Sequence, residues 1–197
     1  MTRHPAPGNE TLTRLPDTPL VREAQALIER AEPRSLIDHN LRSFLFGRAY
    51  GRKHGIDFDE EGLLLAALFH DLGLSADHRD PKLPFTIVGS RALRAFLTER
   101  GVEPERIEPL VDAIDFHLQM RPRWDSGGTA GLLQIGTWMD ITGLRRRGVR
   151  SDARIIEGAY PRDDIRTRFY GLLFGTFGSV GACVGTLFPG RYRRETS

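Results

Sequence analysis

The sequence contains a single cysteine, Cys183, among 197 residues. One cysteine cannot form an internal disulfide, and it cannot build a zinc site of several cysteines. This scarcity fits a reducing compartment. The first sixteen residues also lack the apolar stretch of a secretory signal peptide, so we expect a cytoplasmic protein.

The chain also has little net charge, because 28 basic residues are offset by 26 acidic ones and leave a formal charge of +2. Such a near balance gives no broad attraction for polyanions, so nucleic acid is not an expected partner. With 40% hydrophobic and 27% charged residues, the composition is typical of a soluble globular protein. The length suffices for one domain with a buried core.

The sequence lacks the alternating apolar pattern of strands, and its apolar residues recur instead at helical spacing. We therefore predict an all-α fold with one domain over residues 19–168, which follows a flexible Pro- and Thr-rich leader over residues 1–18. The third helix is apolar almost all round and should lie at the centre, with Asp57 or Asp59 as its N-cap. The predicted helices cover residues 20–31, 35–54, 63–72, 88–101, 104–118 and 129–141.

Residues 169–197 form an apolar, glycine-rich segment and a basic tail. Twenty uncharged positions over residues 169–188 are long enough to cross a membrane, and the glycines form two GxxxG pairs. Five glycines would also weaken a helix in water. We favour a closing helix that packs on the same domain or on a homodimer surface, and membrane contact is the less favoured alternative.

The FHDLG string over residues 69–73 places a histidine and an aspartate at the end of the apolar third helix. A buried carboxylate must be paired or bound to a metal, and neighbouring residues on a regular helix point about 100° apart. His70 and Asp71 can therefore converge on one ion only near a helix end, which Gly73 would supply. His39 and Asp140 lie on two other predicted helices and offer a further nitrogen and oxygen. These four ligands suit one divalent transition metal, with zinc favoured over iron or manganese.

In this order on successive helices, His39, His70-Asp71 and Asp140 resemble the H...HD...D signature of HD-domain metal-dependent hydrolases. The strings DHNLRSFLFGRAY, LFHDLGLS and MDITG look like the branch related to cyanamide hydratase. That resemblance implies one metal between the helices, which activates water against a small molecule with a nitrile-like C–N bond. The sequence departs from the pattern of these families at two places. Asp38 and Asn40 flank His39, where the branch related to cyanamide hydratase has Asn and Ser. Leu74 occupies the position of a catalytic glutamate in the nucleotidase branch.

Two further functions stay open, namely hydrolysis of a phosphomonoester or nucleotide and a non-catalytic, metal-stabilised binding module that a membrane could recruit. His117 is the candidate for moving a proton or contacting substrate, because imidazole titrates near neutral pH. The alternatives for His117 are a structural hydrogen bond or a ligand of a second metal together with His78. Arg42 could hold an anion, orient a metal-bound carboxylate or form an interhelical salt bridge.

Overall fold

The computed structural model describes residues 11–143 and 146–162, which contain α-helices and 3-10 turns but no strand. The predicted all-α fold is therefore confirmed. Two 3-10 turns, Leu72–Leu74 and Arg146–Val149, interrupt the helical succession. The main helices are α1 (Pro19–Ala31), α2 (Arg34–His54), α3 (Glu60–Phe69), α4 (Phe85–Thr98), α5 (Pro104–Phe116), α6 (Gly128–Thr142) and α7 (Arg150–Ala159).

Helix α3 forms the centre of the domain, as its apolar composition predicts. Every residue from Gly62 to Phe69 is buried, and α3 packs against α1, α2, α4, α5 and α6. Its N-cap is Asp59, whose side chain accepts a hydrogen bond from the backbone N–H of Gly62. Its end differs from the prediction, because the α-helix stops at Phe69 rather than Leu72.

Helices α2 and α6 make the most extensive helix pair in the described chain. Their backbones approach closely at two glycines, since a Cβ atom on Gly47 would lie 2.6 Å from the Leu132 carbonyl oxygen. A Cβ atom on Gly136 would lie 2.0 Å from the carbonyl oxygen of Ser43. The helices run antiparallel, so the next turn beyond the Gly136 contact brings the side chains at positions 39 and 140 together.

We expect Gly136→Ala to lower the free energy of unfolding by about 1–3 kcal/mol or more, because the added methyl group must displace backbone. Gly158→Ala is the matched control, since a Cβ atom there meets open space on α7. The control should be neutral or gain up to about 1 kcal/mol from helix propensity. Urea denaturation of both variants measures the difference. Equal stabilities would contradict the close approach of α2 and α6.

Helix α7 was not predicted from the sequence. Its buried side chains are Ala153 and Ile156, and the buried Val149 precedes it, so these apolar positions do follow helical spacing. The apolar pattern covers only these three positions, and the arginines in and before this segment made it read as a solvent-exposed basic stretch. No helix within residues 11–143 and 146–162 is long and apolar enough to cross a bilayer.

The described part of the predicted leader contacts the domain. Thr18 caps α1 through its side chain, and Leu15 packs against the core. The buried Arg48 donates hydrogen bonds to the carbonyl oxygens of Leu12 and Arg14. The proposed boundaries at residues 18 and 168 stay predictions, and Cys183 and the apolar segment over residues 169–188 lie outside the described residues.

Candidate metal centre

The chain leaves the helical conformation immediately after α3, at the histidine–aspartate pair. His70 is the C-cap residue, and Asp71 has φ −108° and ψ 4°, in a sparsely populated bridge region. Gly73 was predicted to supply the helix end, but α3 already ends at Phe69, and Gly73 lies in the 3-10 turn Leu72–Leu74 that follows. A Cβ atom on Gly73 would instead lie 2.4 Å from the carbonyl oxygen of Phe85, so glycine permits close packing against the start of α4. This break lets both side chains point to one place.

The side chains of His39, His70 and Asp71 converge in the buried space between α2 and the end of α3. The two histidine Nε2 atoms lie 3.3 Å apart. Asp71 Oδ2 lies 3.4 Å from Nε2 of His39 and 3.3 Å from Nε2 of His70. Three potential ligand atoms thus form a nearly equilateral triangle. They make up the one group of three or more such side chains, among the described residues, that could hold a metal ion.

The hydrogen bonds of three histidines show that Nδ1 carries a hydrogen in each ring. Each Nδ1 lies 2.7 Å from an oxygen that can only accept, and in the neutral rings of His70 and His117 the Nε2 atom therefore carries a lone pair. This arrangement is typical of metal-binding histidines, whose outer nitrogen donates to a carbonyl or carboxylate. The acceptors are the carbonyl oxygen of Ala67 for His70, the carbonyl oxygen of Ile114 for His117, and Oδ2 of Asp140 for His39.

The converging atoms are poorly matched as hydrogen-bond partners for one another. Nε2 of His70 carries a lone pair, and neither oxygen of the fully buried Asp71 has a hydrogen-bond partner among the described residues. Burial, with a smaller contribution from His39, lowers the pKa of His70 to about 3. Burial also raises the pKa of Asp71, although His39 and His117 oppose this shift. A cation between these atoms would satisfy all three at once.

The spacing of the three atoms fits a transition metal ion. Nitrogen and oxygen ligands lie about 2.0–2.2 Å from zinc, and at tetrahedral angles they are roughly 3.3–3.5 Å from one another. The observed separations of 3.3 to 3.4 Å match that requirement. The residues therefore fit a divalent ion with at least one open coordination position, and the same ligand types suit zinc, iron or manganese.

Asp140 lies behind His39 rather than within the group of three. Its Oδ2 accepts the hydrogen bond from His39 Nδ1, and Arg42 holds both oxygens, with Nε 2.9 Å from Oδ1 and Nη2 2.9 Å from Oδ2. Burial raises the pKa of Asp140, but the hydrogen bonds from His39 and Arg42 outweigh it and keep the pKa well below the usual range. In this position Asp140 orients a ligand, and its predicted role as a fourth ligand stays a prediction.

Arg42 is fully buried and does not line the cavity beside the three ligands. Besides the two bonds to Asp140, its Nη1 donates to the carbonyl oxygens of Tyr160 and Pro161. Arg162 also donates to the backbone carbonyl of Asp140. Of the predicted roles, the structure therefore shows the interhelical salt bridge, between Arg42 on α2 and Asp140 on α6, and it favours orientation of this carboxylate over capture of a substrate anion.

His117 faces the metal-binding group from the end of α5. Its Nε2 lies 4.0 Å from Asp71 Oδ1, and its ring stands edge-on to the ring of His70 at 4.8 Å between centroids. Burial and the nearby His70 lower the pKa of His117 to about 3. This imidazole is therefore neutral near pH 7, and the expectation that it titrates near neutral pH was wrong. His78 contacts Ser75 and lies outside the described cavity lining.

A cavity of about 100 Å³ opens beside the three ligands and His117. Its other walls come from the residue after His117 and from one face of α6, and sequence reasoning did not identify them. Positions 137, 138, 141 and 142 recur at helical spacing, which is the signal that could have found this face. The additional lining residues are Leu118, Thr137, Trp138, Ile141 and Thr142.

Glu32 is a buried acid behind the centre that sequence reasoning also missed. Its Oε2 accepts a hydrogen bond of 2.7 Å from Asn40 Nδ2, which also donates to the carbonyl oxygen of Leu68 on α3. Burial raises the pKa of Glu32 well above its usual value, and the charge of Asp71 raises it further. Asn40 on α2 thus bonds both to Glu32 at the end of α1 and to the backbone of α3. These two bonds give a structural reason for an asparagine next to His39.

We expect Glu32→Gln to stabilise the protein more at pH 8 than at pH 5. A carboxyl group with a raised pKa binds its proton more tightly in the folded state, so stability decreases as the pH rises from about 4.5 through the folded pKa. Each pKa unit of that shift corresponds to about 1.4 kcal/mol at higher pH. Glutamine removes this dependence and can still accept from Asn40. Thermal unfolding at both pH values measures the effect.

The control for this prediction is Glu29→Gln, which changes an exposed acid in the last turn of α1, three residues before Glu32. It should leave the difference in melting temperature between pH 5 and pH 8 as it is in the wild type. If Glu32→Gln behaved like this control, the buried carboxyl group would not be the source of the pH dependence.

Comparison with known proteins agrees with this geometry. Residues 36–166 match the family model described as HD domain, and this range includes His39, His70, Asp71 and Asp140. Domains of that family are typically metal-dependent hydrolases. No curated protein matches the chain.

Proposed function

The chain belongs to the HD domain family, and we propose that it is a metal-dependent hydratase or hydrolase that activates water against a small polar molecule. The favoured substrate is a nitrile-like C–N compound such as cyanamide. One observation carries the proposal: the Nε2 atoms of two buried histidines and an oxygen of the buried Asp71 carboxyl group converge within 3.4 Å, and His117 faces them. Such an arrangement serves water activation beside an open cavity.

His39, His70 and Asp71 would hold one divalent ion, with zinc favoured over iron or manganese. Such an ion supplies water of lowered pKa and a Lewis acid for the substrate. Other residues of the chain orient the ligands and offer a group that can accept a proton. Asp140 and the carbonyl oxygen of Ala67 keep the two imidazoles in the tautomer that offers Nε2. His117 offers its own Nε2 lone pair at the cavity.

His117 has the position and protonation state of a proton acceptor. Its Nε2 takes one proton from water as the oxygen adds to the nitrile carbon, and it returns that proton to the nitrogen, which gives an imidic acid. A second proton shift, from the oxygen to the nitrogen, then yields the amide. The bond between His117 Nδ1 and the Ile114 carbonyl oxygen stabilises the imidazolium in between. Proton transfer of this kind contributes about 10²–10⁴-fold to a rate.

The composition of the cavity favours this substrate over a phosphate ester. Phosphate recognition typically uses arginine or lysine. Among the described residues that line the cavity, none is an arginine or lysine, and Arg42 is occupied by Asp140. A small uncharged molecule therefore suits the site better than a phosphomonoester or nucleotide.

The test loads the purified full chain with zinc, iron or manganese and measures turnover of cyanamide, acetonitrile, p-nitrophenyl phosphate and nucleoside monophosphates. We expect urea from cyanamide or acetamide from acetonitrile only with bound metal. Metal-dependent release of phosphate without hydration would replace the proposal with a phosphohydrolase. Stoichiometric metal without any turnover would support the binding module.

We expect His117→Gln to lower kcat for hydration at least about 100-fold while metal content stays stoichiometric, because glutamine cannot take up a proton. Metal analysis and steady-state kinetics on the same preparation separate the two effects. Loss of the metal in this variant would show that His117 acts as a ligand. The control is His78→Gln, which changes a histidine outside the cavity lining and should retain full activity.

A further inference from the structure

The walls of the cavity differ sharply from its metal-binding floor. Away from the histidines and Asp71, the described lining consists of Leu118, Trp138, Ile141 and two threonines. Leu118 and Ile141 pack against the small apolar cluster of Leu74 and Phe85. The substrate that reaches the floor must therefore pass and contact apolar side chains.

The polar groups of these walls are already engaged or buried. The Thr137 hydroxyl donates to the carbonyl oxygen of Gln134 at 2.9 Å, and the Thr142 hydroxyl donates to the carbonyl oxygen of Trp138 at 2.6 Å. The indole nitrogen of Trp138 is buried from solvent. The threonines have no proton left for a ligand, and the exposed surface that lines the cavity is almost entirely apolar.

We propose that the substrate of this site carries its one polar reactive group on a short alkyl body, so that it is a small aliphatic nitrile rather than cyanamide. The inference rests on the proposed function, because it takes the three ligands as the polar end of the site. A polar group that loses water without a new hydrogen bond costs free energy, and the amino group of cyanamide would meet the carbon walls. An alkyl group gains free energy there. The small cavity beside the ligands suits a group of a few carbons.

Cyanamide and acetonitrile make a matched pair, because they differ only by an amino group in place of a methyl group. With zinc-loaded protein, we expect kcat/KM for acetonitrile to exceed that for cyanamide after each is corrected for its uncatalysed hydration rate. From acetonitrile through propionitrile to butyronitrile, the corrected kcat/KM should increase about fourfold for each methylene group. A preference for cyanamide, or no dependence on chain length, would overturn the inference.

A binding measurement separates this inference from the proposed function. Calorimetric titration of zinc-loaded protein measures the Kd of acetamide, propionamide and butyramide. We expect Kd to decrease about fourfold for each added methylene group. If amide affinity increased with chain length but no nitrile was hydrated, the inference of an apolar substrate pocket would stand and the hydratase function would be rejected. Nitrile turnover with a flat amide series would retain the function and reject the inference.

Ile141→Thr tests the wall directly, because it replaces part of an apolar side chain with a hydroxyl. It should abolish most of the dependence on amide chain length without changing metal content. Met120→Thr is the control, since Met120 is 77% exposed and lies outside the described lining. An unchanged chain-length dependence in Ile141→Thr would place the alkyl group elsewhere and contradict the inference.

Discussion

Asp71→Asn is expected to lose stoichiometric metal and hydration activity together, and yet to fold at least as stably as the metal-free wild type. The variant keeps the size of the side chain but removes a negative charge that is fully buried and has no hydrogen-bond partner in the described part of the chain. Removal of such a charge relieves a desolvation cost. The same charge is what binds the cation, so the variant should lose more than 100-fold in metal affinity.

The two effects have opposite signs, which makes the experiment specific. Zinc at 100 times its Kd should raise the free energy of unfolding of the wild type by about 2.7 kcal/mol and should leave Asp71→Asn unchanged. Thermal unfolding with and without zinc, together with metal analysis, measures both effects. The control is Asp112→Asn, because Asp112 lies on α5 and contacts Ser126. Full metal content in Asp71→Asn would contradict the ligand assignment.

Much of this arrangement follows from local sequence patterns. Helical periodicity placed α1 to α6 close to their observed bounds, because each buries one apolar face and α3 buries nearly all of its surface. The costly pair of His70 and Asp71 inside an apolar segment identified the centre for a physical reason, since only a partner offsets its burial. That argument needs no knowledge of the tertiary fold.

Local sequence patterns could not predict which way the side chain of Asp140 points. The sequence places Asp140 on a helix that faces α2, but its side chain has two candidate positions, beside the metal or behind His39. The buried Arg42 decides between them by holding both carboxylate oxygens. This choice depends on how α2 and α6 are rotated against each other, and the two helices approach closely at Gly136. The cavity walls depend on the same rotation.

Arg42→Met should lower the free energy of unfolding by about 3–5 kcal/mol, because it leaves the carboxylate of Asp140 buried without its main cationic partner. Both side chains of the pair are fully buried, so water cannot replace the lost hydrogen bonds. The control is Arg94→Met, which breaks the partly exposed ion pair with Glu108 and should cost only about 0–1 kcal/mol. Urea denaturation of the metal-free proteins measures the difference.

The double variant Arg42→Met with Asp140→Asn separates two causes of the stability loss, namely a buried carboxylate without its partner and the lost packing of the arginine side chain. Asparagine removes the charge, so the double variant should recover most of the stability that Arg42→Met loses. Metal affinity should not recover, because His39 Nδ1 then donates to a neutral amide oxygen that is no longer held in place, and loss of such an outer partner typically costs about 10–100-fold. If stability and metal affinity recovered together, Arg42 and Asp140 would act on packing alone, and His39 would not depend on them for its orientation.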